Sequence, residues 1–92
     1  MQWNSSSQRD AIKRFWDNYL EYILHHGVKQ RIVRWYIIRV AQYLKAFSNQ
    51  RLVEHKPEDV VGYLEKLDRI KDWQFRQIVD AIQNLFAMLN PL

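Results

Sequence analysis

The stretch KQRIVRWYIIRVAQYLKAF, Lys29 to Phe47, decides how the chain is read. At about 100° per residue, Ile32, Val33, Tyr36, Ile37, Val40, Tyr43, Leu44 and Phe47 gather on one side of a helix. Turned away from them, within about 80° of one another, stand Arg31, Arg34, Gln42 and Lys45, with Ile38 among them. Trp35 and Arg39 flank this strip. Such a segment packs one face into a core and leaves a second, basic face to be explained. Solvated helix faces usually mix signs, because pairs of opposite charge at i,i+4 add a little stability. This helix has no carboxylate between Lys29 and Phe47.

Outward from it, the chain reads as helix almost throughout. Two glycines and two prolines interrupt 92 residues, and no segment alternates with period two. The first helix is expected at about 8–26. Ile12, Phe15, Trp16, Tyr19, Leu20 and Ile23 form its apolar side, Asp10 lies in the first turn, and Gly27 is the stop. Helix two is expected at about 29–48. Helix three, at about 57–68, opens on Pro57, Glu58 and Asp59, which suit a helix N-terminus. Val60, Val61, Leu64 and Leu67 are its apolar side. Helix four, at about 72–89, has the cleanest pattern. Phe75, Ile78, Val79, Ile82, Leu85, Phe86 and Leu89 share about 120° of arc, and Pro91 follows. Its polar face carries Trp73, Arg76, Gln77, Asp80, Gln83 and Asn84. Residues 1–7, with the run NSSS, read as a tail and a possible cap. The whole is a single domain, a compact all-α four-helix bundle.

Composition narrows the functions. Hydrophobic residues are 48% and aromatics 14%, enough for a core in a chain near the lower size limit. Cysteine is absent, which excludes disulfides and thiolate metal sites. No apolar run approaches the roughly 18 residues that span a bilayer. The N-terminus lacks the apolar region of a secretory signal. Serines are confined to the first residues and Ser48, so no serine triad assembles, and no glycine-rich phosphate loop occurs. His25, His26 and His55 read as exposed helix-end or loop residues: adjacent histidines on a helix point apart, which does not suit a shared metal. No cofactor is expected. The net charge of +4 matters through its clustering. Arg31, Arg34 and Lys45 are candidates for phosphate contacts. Gln42, Arg76, Gln77 and Gln83 are candidates for hydrogen bonds to phosphate oxygens or base edges. Trp35 and Trp73, at the margins of the two polar faces, read as packing residues at helix crossings.

The segments FWDNYLEYILHHGV, RWYIIRVAQYL, RLVEHKPEDVVGYLEKL and DWQFRQIVDAIQNLF together resemble the N-terminal SAM-like core-binding domain of tyrosine recombinases, the phage integrases, and most closely the integron-integrase-like branch. The resemblance covers about Arg14 to Leu89. Its most specific pieces are Trp35-Tyr36 with Val40, and Asp72 to Gln77 opening helix four. Lys56 departs from the pattern, which often has a capping threonine there, a loss of about 1 kcal/mol. The resemblance implies an orthogonal SAM-like bundle that lies across one face of duplex DNA while a separate C-terminal domain closes the clamp. The catalytic arginines, histidine and tyrosine would belong to that second domain, absent from this chain. None of Tyr19, Tyr22, Tyr36, Tyr43 and Tyr63 is then the nucleophile, and the chain alone is inert. Expected partners are double-stranded DNA, that catalytic domain and other recombinase protomers in a synaptic complex, in a bacterial cytoplasm, with the isolated chain monomeric and no membrane association. Two alternatives stand beside it: an all-α protein-interaction module and a helix-turn-helix transcription regulator.

Overall fold

A computed structural model of the chain describes residues 5–48, 50–51 and 54–90, with side chains from Arg9 onward. They form four helices, α1 (Ser5–His25), α2 (Val33–Ala46), α3 (Pro57–Glu65) and α4 (Asp72–Leu89), with no strand among them. The all-α expectation holds. No helix among the described residues is long and apolar enough to cross a membrane.

α1 begins at Ser5, so Ser5–Ser7 are helical and Asp10 sits beyond the first turn. Residues 1–4 of the expected tail lie outside the described residues. The helix ends in a Schellman motif. Val28 N–H bonds to Ile23 C=O at 3.0 Å and Gly27 N–H to Leu24 C=O at 3.3 Å, while Gly27 takes φ 94°. A left-handed residue is required there, and glycine adopts it without a Cβ clash.

The second helix does not start at Lys29. Lys29 is extended, Gln30–Ile32 form a single 3-10 turn, and Ile32 leaves helical geometry at φ −113°, ψ 1° before α2 begins. α3 stops at Glu65, three residues short of expectation. Lys66 N–H and Leu67 N–H reach back to Tyr63 and Leu64 carbonyls, tightening the last turn to i→i+3 spacing. Leu67 stays packed on the core from outside the helix.

The starts of α3 and α4 share one device. Lys56 N–H donates to Asp59 Oδ2 at 2.9 Å, and Lys71 N–H to Gln74 Oε1 at 3.1 Å. These are half capping boxes, since a lysine side chain has no acceptor to return the bond. Asp59 also accepts from Gln50 Nε2 at 3.1 Å. The bond from the Lys56 backbone, then that from Gln50, holds its carboxyl below the usual carboxylate range.

The core lies where α2 crosses α4, with α1 across both. Tyr19 and Ile23 of α1, Val33, Tyr36, Val40 and Tyr43 of α2, and Ile78, Ala81, Ile82 and Leu85 of α4 are buried. Tyr19 spans the core, its hydroxyl donating to the Ala81 carbonyl at 2.8 Å, and burial pushes that phenol well above its ordinary pKa. α3 buries no residue fully. It attaches through aromatics: Tyr63 meets Tyr43 edge-on at 5.1 Å. Four residues placed on apolar faces are exposed instead, Ile12 (58%), Val61 (54%), Phe75 (41%) and Leu89 (39%). Each lies toward a helix end or on an outer helix, where the neighbours needed to cover a wide apolar arc are missing.

Candidate nucleic-acid interface

α2 carries its charge outward because its other face is spent on the core. Arg34, Gln42 and Lys45 are all exposed. Arg34 and Lys45, eleven residues apart, stand within about 20° of each other on the helix. Arg31 is exposed too, but on the 3-10 turn, so it does not share the helical register that the sequence pattern assigned it. The Arg34 guanidinium sits 5.4 Å from the Trp35 ring centroid, a cation–π contact that limits its rotamers.

The charge distribution is polar along the chain. Residues 29–51 hold six cations, Lys29, Arg31, Arg34, Arg39, Lys45 and Arg51, and no carboxylate. Residues 54–72 hold six acids, Glu54, Glu58, Asp59, Glu65, Asp68 and Asp72, against four bases. Among the described residues the one ion pair is Lys13–Asp17 on α1, at 3.6 Å. The cations of α2 are therefore without a carboxylate partner among those residues.

α4 presents its polar face less simply than expected. Arg76 and Gln83 are exposed, whereas Gln77, Asp80 and Asn84 are half-buried. Gln77 Oε1 accepts from Arg39 Nε at 3.1 Å. Asp80 accepts a hydrogen bond from the Tyr36 hydroxyl. Asn84 Nδ2 donates back to the Asp80 carbonyl at 2.8 Å. Burial first, then the bond to Asp80 and its negative charge, push the Tyr36 phenol up to about 12. Trp73 is 58% exposed and Trp35 42%, so neither is buried at a helix crossing. Trp73, Arg76 and Gln83 border an open groove of ≈ 570 Å³ whose floor includes Tyr36 and Asp80. The Asp80 carboxylate makes that floor a poor seat for phosphate. The α2 face lacks any such carboxylate.

Sequence reasoning missed Arg39. Helical phase put it at the margin of the core arc, and its partner on α4 becomes visible only once the crossing of the two helices is known. It also misplaced His55. That ring is held half-buried among Tyr43, Phe47 and Phe86, with centroids 5.0–5.9 Å away. Its Nδ1 meets the Tyr43 hydroxyl at 2.7 Å, and its Nε2 is buried with no hydrogen-bond partner among the described residues. His25 and His26 are exposed, as expected for helix-end residues. His26 Nδ1 lies 2.7 Å from the Tyr22 carbonyl, which requires the proton on Nδ1. Among the described residues no three histidine or carboxylate side chains are grouped to hold a metal. Set against known proteins, the chain matches no family model, no curated protein and no solved structure.

Proposed function

We propose that the chain is a duplex-DNA-binding domain, of the kind that lies across one face of DNA in a tyrosine recombinase while the chemistry is done by a second domain. The observation that supports this reading is the α2 face: exposed Arg34 and Lys45, with Arg31 exposed on the preceding 3-10 turn, in a segment of six cations and no acids. Phosphates neutralised by such cations release counterions, so affinity is strong at low salt and falls steeply as salt rises. Arg76, Gln83 and Gln42 are the candidates for contacts nearer the groove, and the resemblance of the sequence to core-binding domains favours the same partner. Three or four neutralised phosphates give a log–log salt slope near −3 to −4 and a Kd of about 10⁻⁴–10⁻⁶ M. The test replaces Arg31, Arg34 and Lys45 together by Ala. The slope should become shallower by about one unit per cation, uniformly across DNA sequences. Unchanged affinity at low salt would reduce the strip to a solvated face.

A second reading has its own observation. Trp73 and Phe75, both in the first turn of α4, are exposed. Aromatic side chains held open to solvent are common in protein-binding surfaces. A protein-interaction module using them would bind with little dependence on salt, and that measurement separates the two readings.

A further inference from the structure

Arg39 occupies a place unlike that of any other cation in the chain. It is half-buried at the crossing of α2 and α4, and its Nε–H donates to Gln77 Oε1 at 3.1 Å. A guanidinium has five N–H donors and no acceptor. Gln77 must therefore turn its oxygen toward Nε and its amide NH₂ away. With Nε engaged, the two terminal NH₂ groups of Arg39 form an end-on fork, and the amide NH₂ of Gln77 adds a further donor from the other helix. Apart from Gln77 Oε1, which Nε occupies, the side-chain groups of the pair are donors. Gln77 borders the same groove as Asp80, so the seat proposed is at the Arg39 guanidinium and not on that groove's floor: no carboxylate among the described residues lies within 4.0 Å of Arg39, and Asp80 is engaged by the Tyr36 hydroxyl. Arg31, Arg34 and Lys45 extend from exposed positions and lose rotamer freedom when they meet an anion. Arg39 has lost much of that freedom already on folding.

We propose that Arg39 and Gln77 form a preassembled site for one phosphate group of a nucleic-acid backbone, clamped from α2 and α4 together. The proposal rests on the DNA-binding reading and names the contact that fixes the orientation of the domain on its ligand. An arginine fork matches two phosphate oxygens in geometry and charge, which a lysine ammonium does not.

Three variants of the 92-residue chain test it, with a short duplex as the probe at low salt and thermal melting as the control for folding. Gln77→Glu places a carboxylate where Oε1 stood, so the bond to Arg39 persists with charge assistance while the donor cluster is neutralised. Its Tm should equal or exceed that of wild type, and duplex affinity should fall roughly ten- to a hundredfold, as for the loss of a charge-assisted contact. Asn18→Asp on α1 changes net charge equally and should cost only the small general loss. Arg39→Lys keeps the charge but not the fork, so affinity should fall several-fold while the salt slope stays that of wild type. If Gln77→Glu binds duplex as well as Asn18→Asp does, the pair is a strut between helices and the proposal is wrong. If the wild-type chain binds no duplex at low salt, the DNA-binding reading falls and this site with it. Inorganic phosphate at matched phosphate concentration is the last arm. It should leave the NMR signals of the Gln77 amide unmoved, and a shift equal to that produced by duplex would assign the site to free phosphate instead.

Discussion

The crossing of α2 and α4 and the helix α3 are built on opposite plans. At the crossing, eight side chains are buried, Val33, Tyr36, Val40 and Tyr43 against Ile78, Ala81, Ile82 and Leu85. The same two helices carry the outward cations and the polar cross-links. α3 buries nothing completely, lies in the acidic part of the chain, and is held by half-buried aromatics. Packing and the proposed binding thus share one rigid pair of helices, while α3 is a lightly attached brace. A surface that must keep its cations at fixed separations gains from standing on the most buried elements.

The largest expected effect lies at the crossing. Ile82→Ala should lose about 2–5 kcal/mol, the range for truncating a buried aliphatic side chain. Val61→Ala, at an exposed position on α3, should stay within about 0.5 kcal/mol. Denaturant unfolding of both variants decides the matter, and comparable losses would erase the contrast. An intermediate effect is expected where the two regions meet. Tyr43→Phe removes the partner of His55 Nδ1 and leaves both ring nitrogens unbonded among the described residues, where Nε2 has no partner either. The cost should be about 1–3 kcal/mol, with hydrogen exchange rising first in α3. Exchange that rises uniformly would show that α3 unfolds only with the whole domain. The smallest effect belongs to the α3 cap. Asp59→Ala should lower Tm at neutral pH by less than Tyr43→Phe does. The carboxyl is held below its ordinary value of 3.8 in the folded state, so its stabilisation is present above that pH and is lost as pH falls through the lower folded value. The gap between variant and wild type should therefore close in acid, and a gap that persists there would point to lost packing.

How much was legible follows from the same contrast. α4 was read at its observed bounds because Asp72, a long apolar period and Pro91 agree. The buried residues of α2 all fell within its expected arc. Its start was misread because Gln30, Arg31 and Ile32 carry no breaker. The 3-10 turn follows the Schellman motif of α1 by way of the extended Lys29, and a turn of three residues leaves no period in the sequence. The end of α3 was overrun because Leu67 belongs to the core by position though not by helix. In the candidate interface, charge and phase located Arg34, Gln42, Lys45, Arg76 and Gln83 at the surface. They could not show that Gln77 and Asp80 would be taken up by Arg39 and Tyr36, because those bonds join residues 38 and 44 positions apart.

α2 is also a ruler. Arg34 and Lys45 are separated by eleven residues of unbroken helix, so their Cα atoms stand about 16 Å apart along the axis. That span equals roughly five base pairs at about 3.4 Å each. On the proposed duplex that fixed span would meet a stiff, regularly spaced polyanion, whereas a flexible one would have to freeze its own chain to reach both. Lengthening α2 by one turn between them would move Lys45 about 5.4 Å along the axis while keeping it close to the same face. On the proposed duplex that is a slip of between one and two base-pair steps, a change of reach with no change of charge.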